Sequence, residues 1–152
     1  ATADLEGYIY GDTYNFSTNT DVKDVLIHVF EKFHETIEIN NLEQIAKARH
    51  NIDITIEEII KISSYLLKNK GYFSMVFRSE RLVEILTLMK EYKLIPKRMK
   101  NVYTKRDENA KICLVEGIKD AKDGFEIESP IYIYDENNEK SEYVKKLYEN
   151  II

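Results

Sequence analysis

Between residues 55 and 93 the spacing of apolar positions changes twice. Over residues 55–68, Ile56, Ile59, Ile60, Ile62, Ser63, Leu66 and Leu67 recur at helical intervals. Thr55 stands as an N-cap, and Glu57 and Glu58 fill the first turn, where the helix dipole favours negative charge. Lys68-Asn-Lys-Gly71 closes this helix, with cations near its last carbonyls and a glycine able to adopt a left-handed cap. Residues 72–77 then form a near-continuous apolar run, the pattern of a strand covered on both faces and typical of parallel sheets. Ser79 is placed to cap a second helix over residues 80–93. Its Leu82, Val83, Ile85, Leu86, Leu88 and Met89 make a broad apolar surface opposite Glu84, Lys90, Glu91 and Lys93. Helix, buried strand, helix is the unit of a layered α/β sheet.

The flanking chain supports that architecture. Residues 1–20, with Tyr8-Ile-Tyr10 and Tyr14-Asn-Phe16, predict a small hairpin or loose edge strand around Gly11 and Asp12. Val22, Val25, Leu26, Val29, Phe30 and Phe33 recur at i, i+3, i+4, i+7, i+8 and i+11, which predicts an amphipathic helix over residues 21–34. A short helix is expected over residues 42–50. Pro96 blocks helix continuation, and residues 97–104 read as an extended basic strand. Residues 110–118 supply its antiparallel partner after a turn-rich loop, so this hairpin lies beside the central strand. Residues 125–134 are extended, with Pro130 favouring an edge, and Ser141 caps a last helix over residues 142–152.

With 152 residues and 43% apolar composition, the chain predicts one globular domain with a real core. No apolar run is long enough to span a bilayer, and the acidic N-terminus lacks the regions of a signal peptide, so the default expectation is a cytoplasmic protein. The single cysteine, Cys113, lies in the apolar run 112–115 and reads as an unreactive core thiol. A net charge of −5 argues against a protein that coats nucleic acid, but the charge is unevenly distributed. Residues 1–60 carry −8, residues 61–111 carry +8, and residues 112–152 carry −5.

The runs Ala48-Arg-His50, Leu67-Lys-Asn-Lys-Gly-Tyr-Phe73, Phe77-Arg-Ser-Glu-Arg-Leu82, Ile95-Pro-Lys-Arg98, Cys113-Leu-Val-Glu-Gly117 and Pro130-Ile-Tyr-Ile-Tyr-Asp135 follow one another in a recognisable order. In that order they resemble the C-terminal half of the S-adenosylmethionine-dependent adenine-N6 methyltransferases of tRNA. The opening residues 12–21 are similar to that family's N-terminal segment. The resemblance implies a partial class I methyltransferase-like (Rossmann-like) α/β fold: a layered sheet with a parallel central strand, an antiparallel hairpin and helices on both faces. Residues 1–34 would form the N-terminal hairpin and helix, and residues 42–152 the methyltransferase C-terminal-like half. It implies S-adenosylmethionine as cofactor and tRNA as partner. It also suggests a strand over residues 24–27, in competition with the helix reading. Two family motifs are missing. The five glycines, at 7, 11, 71, 117 and 124, contain no G-x-G for a cofactor loop, and with only Pro96 and Pro130 there is no Asn-Pro-Pro-Tyr tetrapeptide to hold an adenine. No catalytic or cofactor-binding residue can be assigned. Loss of a central βαβ region would leave apolar surface to cover, which predicts self-association.

Other chemistry is thinly represented. His28, His34 and His50 are scattered; the first two are six apart, about 600° of helical rotation, so they share no ligating face. No nucleophile-elbow pattern points to a hydrolase. The resemblance places Arg49 and His50 just downstream of an adenine pocket, to contact phosphate or to serve as a structural salt bridge or helix-end charge. Arg78 and Arg81 stand where the central strand ends, the position where α/β sheets place ligands, and suit either a phosphate or an ion pair with Glu80 or Glu84. Lys93, Lys97, Arg98, Lys100, Lys105 and Arg106, with Tyr92 and Tyr103 among them, make the basic middle a candidate RNA surface or a solvated face.

Overall fold

Helix α1 (Thr20–His34) forms where the apolar recurrence predicts it, and the strand alternative for residues 24–27 is overturned. Val25, Leu26, Val29, Phe30 and Phe33 are all buried, so one stripe of the helix meets the core. The computed structural model describes residues 20–34 and 55–149. The expected N-terminal hairpin and the helix over 42–50 lie outside the described residues.

Helix α2 (Ile56–Leu66) is capped by Thr55, whose hydroxyl accepts from the Glu58 N–H at 3.1 Å. Ile56, Ile59, Ile60, Ser63 and Ser64 face inward, whereas Ile62 and Leu66, assigned to the stripe by spacing, are 48% and 39% exposed. The closing turn is also corrected. Lys70, not Gly71, takes the left-handed conformation (φ 68°). Gly71 is required by close packing instead, since a Cβ there would lie 3.0 Å from the Lys68 carbonyl and 3.1 Å from Leu67.

Strand β1 (Tyr72–Arg78) is buried from Phe73 through Phe77. A 3₁₀ turn (Ser79–Arg81) follows, and helix α3 (Leu82–Glu91) begins after it without a side-chain cap. Ser79 therefore does not cap a helix; its Oγ lies 3.4 Å from the Cys113 thiol. Strand β2 (Leu94–Tyr103) starts two residues before Pro96, because Lys93 (φ 68°) turns the chain out of the helix first. Pro96 sits at a bulge in which Lys97 is the extra residue between the Pro96–Gly117 and Arg98–Glu116 pairs. Strand β3 (Ile112–Lys119) runs antiparallel to both β1 and β2 and lies between them. Short strands β4 (Glu126–Ile127) and β5 (Ile131–Tyr132) add in parallel to the outer edge of β2, on either side of exposed Pro130. Helix α4 (Glu142–Glu149) closes the described chain, with the Val144 N–H donating to the Ser141 hydroxyl at 3.3 Å.

The sheet order is β1-β3-β2-β4, with β5 also on β2. Among the described residues β1 is therefore not the parallel central strand expected but an edge strand paired antiparallel with β3, and β3 and β2 occupy the middle. Period-two alternation divides its side chains between two cores. Val76, Val102, Ile112, Leu114, Ile131 and Ile133 face α1 and α4. Phe73, Met75, Phe77, Met99, Cys113 and Val115 face α2 and α3. Each fully buried Leu, Ile or Phe contributes about 1.5–3 kcal/mol relative to exposure, so the two helical layers are held mainly by this apolar stacking. Among the described residues no helix is long and apolar enough to cross a membrane.

Candidate nucleic-acid interface

Because β1, β2 and β5 all run in one direction, their carboxyl ends share one end of the sheet, together with the start of β3. Four of the basic residues singled out in the sequence, Arg78, Arg81, Lys105 and Arg106, stand at that end, and Lys111 joins them from the residue before β3. Arg78 and Lys111 border an open depression of about 260 Å³ with Ser79, Glu80, Ala110 and Ile112. The Ser79 N–H donates to the Lys111 carbonyl at 2.9 Å and fixes its lip. Arg81 is paired with Glu84 through hydrogen bonds of 3.1 and 3.3 Å, which is the ion pair weighed against a phosphate role.

The rest of the basic middle does not form one surface. Lys97 points its ammonium to the Lys122 carbonyl at 2.8 Å, near the opposite end of β2. Lys100 donates to the Ser129 carbonyl at 3.2 Å and ties β2 to the segment joining β4 and β5. Arg98 turns inward beneath α1. Its guanidinium donates to Glu116 at 2.9 Å, to Glu128 at 3.3 Å and to the Phe33 carbonyl at 2.6 Å, and lies 3.9 Å from the centre of the Phe33 ring. Ser74, fully buried, donates to the other oxygen of Glu116 at 3.0 Å. Burial alone would lower the Arg98 pKa, but the hydrogen bond and charge of Glu116, with Glu128, raise it above its usual value. The result is a polar brace across the middle of the sheet, and it commits Arg98 to holding α1 rather than to a surface. Arg49 and His50 lie outside the described residues.

An open groove of about 830 Å³ lies at the same end as Arg78, between the 105–108 loop, β5, the 134–140 turn and the first turn of α4. Tyr132, Tyr134 and Tyr143 line it, with Lys105, Arg106, Lys140 and Lys145 as cations and Asp107, Glu108, Asp135, Glu136 and Glu142 as acids. Its floor is tied to β2, since the Ile133 and Tyr134 N–H groups donate to the Tyr103 and Thr104 carbonyls at 2.9 and 3.0 Å. The turn is set by Asp135, whose carboxylate accepts from the Asn137 and Glu139 N–H groups at 2.8 and 3.0 Å. These tyrosines were not among the sequence candidates. The signal was present for Tyr132, because Ile131 and Ile133 on either side of it are buried, which directs Tyr132 away from the core, whereas Tyr134 packs partly against it.

Cys113 and His28, both considered in the sequence, lie among the described residues. Cys113 is buried, with its thiol pKa pushed up by burial and partly lowered again by Ser79. His28 lies against Asp24 at 3.5 Å and edge-on to Tyr148, and among the described residues no group of His, Cys, Asp and Glu could hold a metal ion.

No family model matches the chain, and no curated protein matches it. Solved structures do match. One is a predicted O-methyltransferase, protein Atu636 from Agrobacterium tumefaciens, with a TM-score of 0.54 and 18% identity. The match covers 61% of this chain and 45% of that one, so this chain spans less than half the length of that protein. At that identity the likeness speaks for the fold: a methyltransferase-type α/β arrangement of parallel and antiparallel strands between helices.

The fold raises S-adenosylmethionine as a cofactor, and the described residues do not fit it. A glycine-rich turn would be needed where parallel strands end, yet Gly71, Gly117 and Gly124 all lie toward the opposite end of the sheet.

Proposed function

We propose that this chain is an RNA-binding domain of methyltransferase fold, akin to the C-terminal half of the tRNA adenine-N6 methyltransferases, that works by holding RNA rather than by transferring a methyl group. The observation that carries the reading is the convergence of Arg78, Lys105, Arg106 and Lys111 at the end of the sheet where β1 and β2 finish and β3 begins, the end at which α/β folds present ligands. Cations held on loops and at a strand end there can neutralise phosphates without disturbing either core. The position of the glycines supports a binding role over methyl transfer, as does the lack of an Asn-Pro-Pro-Tyr sequence.

The test is fluorescence anisotropy with a labelled tRNA, at several salt concentrations. Changing Arg78, Lys105, Arg106 and Lys111 together to Glu is expected to abolish binding and to remove most of its salt dependence. Unchanged affinity in that variant overturns the RNA reading. Calorimetric titration with S-adenosylmethionine is expected to give no heat, and micromolar binding would restore the alternative, methyl transfer to adenine N6.

A further inference from the structure

We propose that the groove beside Tyr132 binds one unpaired nucleotide carrying an exocyclic amine on its base, with the base on the Tyr132 ring and the phosphate among Lys105, Lys140 and Lys145. This deepens the RNA reading and rests on it. Tyr132 is positioned to act as a stacking platform. The Tyr103 ring supports it at a centroid distance of 5.3 Å and an interplanar angle of 31°, and both residues sit in paired strands. The Arg106 guanidinium lies 5.4 Å from the ring centre on an exposed loop, so a planar base can take its place or be covered by it.

The mixed charge of the groove narrows the ligand class. A uniformly cationic cleft would suit any polyanion, but here Glu108, Glu136 and Glu142 share the lining with the lysines. Such carboxylates repel a continuous phosphate backbone and accept hydrogen bonds from an amine. One phosphate and one amino-bearing base satisfy both sets of groups. Because an exocyclic amine offers two N–H donors to a pair of carboxylates where uracil offers one imide N–H, adenine, cytosine or guanine is favoured over uracil. The volume, about 830 Å³, falls in the usual range of small-molecule sites and leaves room for one nucleotide with water.

The experiment is anisotropy of labelled five-residue oligoadenylate and oligouridylate on the full chain, with AMP as competitor. Oligoadenylate is expected to bind more tightly than oligouridylate and to be displaced by AMP. Tyr132→Ala is expected to weaken oligoadenylate binding roughly 5- to 150-fold, the worth of one stacked base, while Tyr132→Phe keeps it. Since Tyr132 lies in an edge strand, the pair Arg106→Glu with Lys145→Glu, both on the exposed rim, provides a second reading and is expected to weaken binding without shifting the thermal midpoint. If oligoadenylate binding falls on changing Arg78 and Lys111 to Glu but not in any groove variant, the RNA reading stands and this site is overturned. If neither oligonucleotide binds the unaltered chain, both fall.

Discussion

Replacing Arg98 with alanine tests whether the brace beneath α1 holds the domain together. Glu116 would lose its charged partner while its side chain stays 10% exposed, and the Phe33 carbonyl would lose a donor at 2.6 Å. Removing one member of a fully buried pair costs about 3–5 kcal/mol, and of a fully exposed pair about 0–1 kcal/mol. Arg98 is 26% exposed and Ser74 still donates to Glu116, which places the pair between those limits at about 2 kcal/mol. The lost carbonyl hydrogen bond and the contact with the Phe33 ring add about 1 kcal/mol together. A total near 3 kcal/mol lowers the thermal midpoint of a domain this size by about 6–12 °C. Urea unfolding followed by far-UV circular dichroism measures the loss directly, and the slope should be unchanged if only the folded state is weakened. Adding Glu116→Gln to Arg98→Ala removes the stranded charge, so the double variant is expected to be more stable than the single one. A loss under about 1 kcal/mol in Arg98→Ala, or a double variant weaker than the single, would refute the reasoning.

Gly117→Ala should destabilise the sheet by about 1–3 kcal/mol in the same unfolding assay, because the new Cβ meets Met89 Cε at 2.6 Å and the carbonyls of Leu94 and Ile95 at 3.1 Å. Burial raises the Cys113 thiol pKa, so the folded state keeps a proton that the unfolded chain gives up near the ordinary thiol range. That contribution is complete below about pH 8.5 and is lost as pH rises from there through the folded value; relative to Cys113→Ala, the unaltered chain should therefore lose stability with rising alkaline pH. Iodoacetamide should likewise modify Cys113 only at the rate of unfolding. Ile62, Tyr65 and Leu66 expose an apolar face on α2, and light scattering behind size exclusion is expected to show a self-associated species that Ile62→Glu with Leu66→Glu dissolves. A clean monomer for the unaltered chain would refute that expectation.

The elements were legible wherever one physical signal dominated. Apolar periodicity placed α1, α2, β1 and α4, and the Thr55 and Ser141 caps were readable because a hydroxyl directly before an apolar run has few other uses. Helix ends were less legible. Gly71 and Pro96 look like punctuation, yet the left-handed residues are Lys70 and Lys93, which owe that conformation to contacts distant in sequence. The Lys70 N–H donates to the Lys119 carbonyl at 3.0 Å, and the Lys93 carbonyl accepts from the Asp120 N–H at 2.9 Å. Arg98 was read with its charged neighbours because charge is counted along the chain, whereas the Pro96 bulge and strand alternation decide which face a residue meets. The groove was hidden for a related reason: its loop, turn and helix are brought together by the parallel pairing of β5 with β2 and by the contacts that extend it, which link residues about 30 apart in sequence.

Apart from Arg98 and Lys100, the lysines and arginines around the sheet are therefore divided between its two ends. At the end where β1 and β2 begin, ammonium groups close the fold. Lys119 donates to the Leu67 carbonyl at 2.7 Å and to that of Ser64, satisfying the last turn of α2, while Lys97 and Lys70 reach the Lys122 and Asp120 carbonyls. At the end where those strands finish, Arg78 at the close of β1 and Lys105, Arg106 and Lys111 on loops stand around concave surfaces. One residue type serves both ends because a lysine beside orphan carbonyls is worth more to the fold than one in water, and a lysine left on a loop costs the fold little. Lys119→Met is accordingly expected to lower the unfolding midpoint with little effect on RNA affinity per folded molecule, and Lys111→Glu to do the reverse. If both substitutions lower stability and leave RNA binding intact, the division by ends is wrong.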